Sequence, residues 1–280
     1  MTPRQIKLIS ILSLLIAMAL SIPSVYAITG NCQSDNTHSF VGLVIFYELD
    51  ETGNKSPVSI SSGILLTPTV VLTTAHSCIS ESVLVCFDKG PISWSVQDSY
   101  LQVEGVTSTY EGSAYPNLDY KISVAGKKGL PEFLYRDLAL IILKEPVPHS
   151  VVSTYGQLPP AGFVDTLPKK TDVTLVGYGF QQRLNSQPSG SIMRSHAEAK
   201  TVSGDFAWSD EFIRCSANPG QGKGGICFGD SGGPVLWGKT NIVLAVHSFA
   251  ANPNCAGITY HNRIDVPEVL DWIAEVSEIV

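Results

Sequence analysis

The sequence predicts an all-β fold of antiparallel strands, arranged as a barrel or a sandwich, with a helix only at the C-terminal end. β-Branched and aromatic runs recur along the chain, and clusters of Gly, Pro, Asn and Ser separate them. The 280 residues are 44% hydrophobic and 15% charged, which is enough apolar material for a buried core. This composition excludes disordered and collagen-like proteins.

The first 27 residues are predicted to be a secretory signal. Arg4 and Lys7 precede an apolar run, Leu8–Ile22, and a small-residue cleavage site ends at Ala27. A membrane anchor is the alternative, but the run is shorter than the about 18 apolar residues that a spanning helix needs. We therefore expect a mature protein that begins at Ile28, lies in the extracellular space or the periplasm, and has no stable membrane association.

Six segments of the mature chain have the length and the residue types of β-strands. They are Phe40–Leu49, Ile64–Thr74, Val83–Phe87, Leu138–Leu143, Val173–Tyr178 and Ile242–Phe249.

A proline-rich stretch divides the mature chain nearly in half. Four prolines lie between Glu145 and Ala161, and proline cannot join a central strand because it donates no backbone hydrogen bond. This predicts a linker over about residues 146–161, between an N-terminal unit over about 28–145 and a C-terminal unit over about 162–280.

The C-terminal unit is predicted to end in a helix. Pro267 suits the first helical position, with Asp265 before it as the cap. Apolar residues then recur on one helical face, at Val269, Leu270, Ile273 and Val276.

Charge and cysteine usage exclude several classes of partner. The formal net charge is −7 and no block of like charges occurs, so nucleic acid is not an expected partner. The six cysteines form no CxxC pair of the kind that zinc sites and redox motifs use. They allow three disulfides in an oxidising compartment, with 15 possible connectivities.

Three short segments carry residues that suit nucleophilic catalysis. His76 follows a β run, Asp137 precedes an apolar strand, and Ser231 lies in Gly-Asp-Ser-Gly-Gly-Pro. Each motif alone is more often a turn, a surface residue or a structural residue than part of a catalytic site. Together they supply a serine nucleophile, a histidine base and a carboxylate that orients the histidine, with no metal or organic cofactor. The glycines let the N–H groups of Gly229 and Ser231 point at one developing oxyanion.

The order of the three residues separates two kinds of hydrolase. Gly229-Asp230-Ser231-Gly232-Gly233 also matches the G-x-S-x-G elbow of α/β-hydrolases, in which an acid and then a histidine follow the serine. After Ser231 the histidines are His247 and His261, and no Asp or Glu lies between Ser231 and either of them. The order His76, Asp137, Ser231 is instead that of the chymotrypsin type.

These motifs resemble those of the trypsin/chymotrypsin-like serine proteases. Supporting matches extend along nearly the whole mature chain, at Gly177-Tyr178-Gly179, Ser248-Phe249-Ala250 and Leu270-Asp271-Trp272-Ile273. The resemblance implies two antiparallel six-stranded β-barrels packed face to face, a C-terminal helix, and a catalytic cleft between the barrels. It also implies a serine-type endopeptidase that acts on protein or peptide substrates.

The resemblance implies one disulfide and leaves the other cysteines uncertain. Cys227 and Cys255 match the family bridge beside the specificity pocket. Most members also carry a cysteine directly after the catalytic histidine, but Ser77 occupies that position here. Cys78 can instead close a local loop with Cys86, which leaves Cys32 and Cys215 as a pair by elimination only.

The mature N-terminus also matches the family pattern. Ile28-Thr29-Gly30-Asn31 resembles Ile-Val-Gly-Gly, whose new ammonium group pairs with the acid before the nucleophile, here Asp230. We therefore expect signal cleavage itself to activate the enzyme, without a separate propeptide. Activation at another site is the alternative.

The resemblance places the specificity pocket at Gly225 and Ile226 on the floor and at residues 248–250, Ser-Phe-Ala, in the wall. An uncharged floor does not favour Arg or Lys before the scissile bond, because a desolvated cation needs a partner. We expect cleavage after medium-sized apolar residues. The alternative is cleavage after acidic residues, since glutamate-specific relatives place a histidine in this wall and His247 precedes Ser248.

Two other functions remain open at this stage. One is a catalytically inactive, protease-like binding protein, and the other is an esterase that uses the same site. The natural substrate and the oligomeric state are left open by the sequence.

Overall fold

The computed structural model describes residues 28–49, 51–97, 100–123, 133–179, 189–202, 210–217, 221–250, 255 and 257–278. The predicted signal, residues 1–27, lies outside the described residues. The described part consists mainly of short β-strands and ends in one α-helix. The predicted all-β fold class is therefore confirmed.

The strands of the N-terminal half are β1 Thr29–Gly30, β2 Gln33–Ser34, β3 Val41–Leu49, β4 Lys55–Leu65, β5 Val70–Thr73, β6 Ser82–Cys86, β7 Ile92–Gln97, β8 Tyr100–Glu104, β9 Tyr110–Pro116, β10 Lys121–Ser123, β11 Phe133–Tyr135 and β12 Ala139–Leu143. Those of the C-terminal half are β13 Asp172–Gly177, β14 Ser189–Ile192, β15 Ser195–Lys200, β16 Phe212–Ala217, β17 Gly224–Gly225, β18 Pro234–Trp237, β19 Val243–Ala250 and β20 Gly257–Arg263, followed by helix α1, Pro267–Ser277.

The first half forms a closed six-stranded antiparallel barrel in the order β12-β5-β4-β3-β6-β9. Strands β3, β5, β6 and β12 are rich in Val, Ile and Leu, and these side chains contribute to a common core. The segment Ile64–Thr74, expected as one strand, is split between β4 and β5. Pro68 lies in the intervening turn, where the Thr67 hydroxyl accepts a hydrogen bond from the Val70 N–H at 3.1 Å.

The second half forms a seven-stranded antiparallel sheet in the order β16-β20-β19-β18-β13-β15-β2. Within the described residues this sheet is open, whereas the family resemblance implied a closed six-stranded barrel. A separate two-stranded sheet joins β1 to β17. Residues 29–34 therefore pair with the C-terminal half through β1 and β2, whereas the Phe40 carbonyl accepts the Leu65 N–H of the first barrel at 2.8 Å.

A third sheet, in the order β14-β7-β8, connects the two halves, because β14 follows the sheet strand β13 and β7 follows the barrel strand β6. Two buried side chains strengthen this connection. The Tyr178 hydroxyl donates to the Asp88 carbonyl at 2.6 Å. The Arg194 guanidinium donates to the carbonyls of Val41 and Phe87, both at 3.2 Å.

Helix α1 begins at Pro267, as expected, and its apolar face packs on the first barrel. Val269 and Ile273 are buried in the same core as the barrel strands. The expected cap is wrong, because the N-cap residue is Val266 and no side chain caps the helix. Asp265 instead accepts a hydrogen bond from the Val164 N–H at 2.7 Å and pairs with an arginine. Among the residues described here, no helix is long and apolar enough to cross a membrane.

The cysteines form fewer bridges than expected. Cys227 and Cys255 are joined by a disulfide, as the resemblance implied. The expected Cys78–Cys86 bridge is wrong, because both side chains are thiols with local partners. The Cys78 thiol donates to the Thr74 carbonyl at 3.3 Å, and the Cys86 sulfur accepts the Asp88 N–H at 3.3 Å.

The pairing of Cys32 with Cys215 is also not formed, since Cys215 is a free thiol inside the second core. Burial raises the pKa of the Cys215 thiol to about 12, and it has the same effect on the Cys78 and Cys86 thiols. All three thiols therefore stay protonated at neutral pH.

Gly232 marks a close contact between the loop that carries Ser231 and the first barrel. A Cβ atom at this position would lie 2.1 Å from the Ser62 carbonyl oxygen, whereas a Cβ atom at Gly53 would meet nothing within 4 Å. Both glycines have a φ of +86°, so their alanine variants carry the same backbone strain.

We expect Gly232→Ala to lower the free energy of unfolding by at least about 2 kcal/mol more than Gly53→Ala does, because only the first variant forces two backbones apart. Urea unfolding of both variants measures the difference. Equal losses in the two variants would contradict this close contact.

Candidate active site

The first barrel brings two of the predicted catalytic residues together through strand pairing. His76 lies in a short 3₁₀ helix, Ala75–Ser77, just after β5, and Asp137 lies just before β12. These two strands are antiparallel neighbours, with Thr73 opposite Ala139. The residues that follow β5 and precede β12 therefore meet at the same edge of the barrel.

The three predicted catalytic side chains form a continuous hydrogen-bonded chain. His76 Nδ1 lies 2.6 Å from Asp137 Oδ2, and His76 Nε2 lies 3.1 Å from Ser231 Oγ. The His76 backbone N–H also donates to Asp137 Oδ1 at 2.8 Å. The carboxylate accepts the Nδ1 proton, so Nε2 is left as an acceptor for the serine hydroxyl.

Asp137 is fully buried, and it is held by hydrogen bonds to two residues from the second half of the chain. The Ser248 hydroxyl donates to Asp137 Oδ2 at 2.5 Å. The Asn262 side chain accepts the Asp137 N–H at 3.3 Å and donates to the Leu134 carbonyl at 3.3 Å. Sequence reasoning missed Asn262, because a single asparagine on a strand carries no motif. It placed Ser248 only in the pocket wall.

The two predicted oxyanion donors are available. Within the described part of the chain, neither the Gly229 N–H nor the Ser231 N–H donates to a protein acceptor, whereas the N–H groups of Asp230, Gly232 and Gly233 all do. Gly229 has a φ of +90°, a conformation that glycine adopts without steric cost. The arrangement leaves two backbone donors beside the serine hydroxyl.

Ile28 and Asp230, the predicted activation pair, are in contact. Both residues are fully buried, and the Ile28 backbone N–H donates to the Asp230 carboxylate. This carboxylate also accepts the N–H groups of Gly179 and Cys227, each at 2.8 Å. Burial nevertheless raises the pKa of Asp230 to about 7, because three backbone donors do not replace the water that the carboxylate loses.

A cleft of about 370 Å³ opens beside His76 and Ser231. Four of the predicted pocket residues line it, namely Ile226, Ser248, Phe249 and Ala250. Its other lining residues are Leu134, Phe228 and the disulfide Cys227–Cys255. Leu134 and Phe228 were missed, although Phe228 lies next to the Gly-Asp-Ser-Gly motif and its side chain is half exposed.

Gly225 does not line the cleft, although the resemblance placed it on the floor. It pairs with Thr29, whose hydroxyl donates to the Gly225 carbonyl at 3.1 Å. A Cβ atom at Gly225 would lie 2.1 Å from the Ala217 Cβ atom. Glycine is therefore required here for packing, and no side chain projects into the cleft.

His247 also lies outside the residues that line the cleft. The side chain is fully buried, with its Nδ1 atom 3.1 Å from His261 Nδ1. Burial and the neighbouring His261 hold the pKa of His247 well below its usual value. A neutral, buried imidazole cannot meet a substrate carboxylate, so the alternative of cleavage after acidic residues loses its structural basis.

Comparisons with known proteins agree with the fold described above. The family model described as Trypsin matches residues 48–273. Chymotrypsin-C of Rattus norvegicus is 26% identical over 228 residues, which cover 78% of each chain. Among solved structures, HL collagenase superposes with a TM-score of 0.61 at 18% identity, covering 90% of this chain and 99% of that one. Human heparin binding protein superposes with a TM-score of 0.56 at 16% identity, covering 90% and 96%.

Proposed function

The chain belongs to the trypsin family of serine proteases, and on that premise we propose that it is a secreted serine endopeptidase. Residues 1–27 would be the signal, and residues 28–280 the peptidase domain. The observation that carries the proposal is the hydrogen-bonded chain from Asp137 through His76 to Ser231, which ends beside two backbone N–H groups that have no acceptor among the described residues.

In the first half of the reaction, Ser231 Oγ attacks the carbonyl carbon of the scissile peptide bond. His76 Nε2 takes the hydroxyl proton, and Asp137 stabilises the resulting imidazolium. The carbonyl oxygen becomes negative and accepts hydrogen bonds from the N–H groups of Gly229 and Ser231. His76 then donates its proton to the leaving amine, and an acyl group stays on Ser231.

In the second half, a water molecule replaces the leaving amine. His76 Nε2 takes a proton from this water as it attacks the acyl carbon, and it returns the proton to Ser231 Oγ when the ester bond breaks. Asp137 keeps the same imidazole orientation in both halves. Its three hydrogen bonds from His76 and Ser248 support that role.

The cleft beside Ser231 suits an apolar side chain before the scissile bond. Ile226, Phe228 and Phe249 supply large apolar surfaces. Neither an acid nor a lysine or arginine is among the lining residues described, so a charged substrate side chain would lose water without gaining a partner. We therefore propose cleavage after medium-sized apolar residues.

We also propose that cleavage before Ile28 activates the enzyme. A new ammonium group on Ile28 would lie where its backbone N–H already meets the Asp230 carboxylate. The buried carboxylate would then gain the opposite charge that it lacks in the uncleaved chain. Asp230 directly precedes Ser231, so this ion pair would order the oxyanion donors.

A serine-reactive phosphonate tests the proposed function. Wild-type mature protein should be labelled and should hydrolyse peptides, whereas Ser231→Ala should not be labelled, because it lacks the nucleophile. Mass spectrometry of the adduct measures the labelling. Folded wild-type protein that neither reacts nor hydrolyses peptides would instead support a binding protein of the same fold, and hydrolysis of esters without peptides would support an esterase.

Peptides that differ only at the residue before the scissile bond test the specificity. We expect kcat/KM to be highest for medium-sized apolar residues such as Leu, and at least about tenfold lower for Arg, Lys and Glu, because burying an unpaired charge is costly. His247→Gln should leave this ranking unchanged. Preferred cleavage after Arg or Lys, or a Glu preference lost in His247→Gln, would contradict the proposed pocket.

The pH dependence of stability tests the activation pair. A form with Ala27 still attached should have a folded-state pKa of about 7 at Asp230, against 3.8 for the ordinary carboxyl. The folded form therefore binds an extra proton at Asp230 between these pH values, so the contribution of this group to stability is greatest below about pH 4 and is lost as the pH rises to about 7, by roughly 4 kcal/mol at most. The form that begins at Ile28 should not show this loss, because the ammonium keeps the carboxylate ionised.

Thermal unfolding of the two forms between pH 4 and pH 7 measures this difference. Asp230→Asn in the extended form is the control, since it removes the titrating group. Full peptidase activity in the form with Ala27 still attached would contradict the activation proposal.

A further inference from the structure

Ser62, on strand β4 of the first barrel, connects that barrel to the loop that carries the nucleophile. Its backbone N–H donates to the Ser231 carbonyl at 2.7 Å. Its hydroxyl donates to the Gly229 carbonyl at 2.9 Å and accepts the Tyr178 N–H at 3.0 Å. The residue is fully buried, so water does not compete for these contacts.

We propose that the Ser62 hydroxyl is a positioning group for the oxyanion hole, an inference that rests on the proposed peptidase function. Gly229 supplies one of the two oxyanion donors, and its lack of a side chain leaves its backbone torsions weakly restrained. The hydroxyl of Ser62 fixes the carbonyl end of Gly229. With that end held, only the preceding peptide plane is left to rotate, which limits how far the Gly229 N–H can turn away from the cleft.

The hydrogen bond from the Tyr178 N–H fixes the orientation of the Ser62 hydroxyl. Because the oxygen accepts the Tyr178 N–H, its own proton is directed towards the Gly229 carbonyl. Tyr178 precedes Gly179, whose N–H binds the Asp230 carboxylate. The Ser62 hydroxyl thus holds two segments of the second half. One segment contains Asp230, and the other binds the Asp230 carboxylate.

Loss of this hydroxyl would leave the Gly229 carbonyl and the Tyr178 N–H without their partner in a buried environment. Buried polar groups that lose a partner move to regain one, and Gly229 is the more adaptable of the two residues. We therefore expect Ser62→Ala to misorient the Gly229 donor in a fraction of the molecules. Removal of one oxyanion donor lowers kcat by about 100- to 1000-fold in related chemistry, so partial misorientation should lower it by about 10- to 100-fold.

Ser61 offers a matched control on the same strand. It is also fully buried, but its hydroxyl lies 3.2 Å from Thr73 Oγ1 and 3.2 Å from the Ser62 carbonyl, both within the first barrel. Ser61→Ala therefore removes a buried hydroxyl without a direct contact to the nucleophile loop.

The experiment compares wild type, Ser62→Ala and Ser61→Ala as mature proteins, with active enzyme counted by phosphonate titration. Each is assayed for kcat and KM on one peptide substrate, and for affinity towards a peptide aldehyde and the matching peptide alcohol. The aldehyde adds to Ser231, so that its oxygen occupies the oxyanion hole, whereas the alcohol binds without reaction.

In Ser62→Ala we expect kcat and aldehyde affinity to fall in parallel by about 10- to 100-fold, while KM and alcohol affinity change by less than about threefold. Ser61→Ala should change none of the four by more than about threefold. Unchanged kcat in Ser62→Ala, or equal losses in the two variants, would overturn the inference. A wild type that hydrolyses no peptide would overturn the proposed function instead.

Ser62→Cys covers the case in which Ser62→Ala does not fold. The thiol fills similar space but is a weaker hydrogen-bond donor. Its kcat and aldehyde affinity should also fall together, with KM retained. Wild-type kcat in a folded Ser62→Cys protein would argue against the positioning role.

Discussion

The backbone hydrogen bond from Ser62 to Ser231, at 2.7 Å, is the contact on which the site depends most. His76 and Asp137 come from the first barrel, and Ser231 comes from the second half of the chain. The relative position of the first barrel and the second half must therefore be fixed to within a few tenths of an ångström at this contact. The close approach of Gly232 to the same strand leaves no room for any other alignment.

Hydroxyl groups support the histidine where most family members have a disulfide. Thr74 Oγ1 and Ser77 Oγ lie 2.8 Å apart, on either side of His76 in the sequence. This hydrogen bond is buried, so it holds the start of the 3₁₀ helix without competition from water. The local structure around His76 is thus maintained by packing and polar contacts, independently of the redox state of the compartment.

Two buried carboxylates near the nucleophile are stabilised in different ways. Asp137 accepts hydrogen bonds from the side chains of His76 and Ser248. Among the described residues, Asp230 meets only backbone N–H groups, and burial raises its pKa to about 7. An added positive charge would therefore stabilise the Asp230 carboxylate, which is what the proposed activation at Ile28 requires.

Local signals in the sequence were enough for the all-β class, for helix α1 and for the candidate triad, because each depends on residues adjacent along the chain. The order of His76, Asp137 and Ser231 also decided between two families of hydrolase. Contacts between distant segments could not be derived in this way. Asn262 meets Asp137 across 125 positions, and no periodicity or motif records that contact.

The direction of a buried side chain was decided by the tertiary structure alone. His247 precedes a pocket residue in sequence, but it packs against His261 inside the second half, away from the cleft. Asp265 likewise meets Arg263 and the Val164 N–H instead of capping the helix. In both cases the sequence determined the residue type, and the tertiary structure determined its hydrogen-bond partner. The physical reason is desolvation, because a buried polar group must bind whichever donor or acceptor the fold brings nearest.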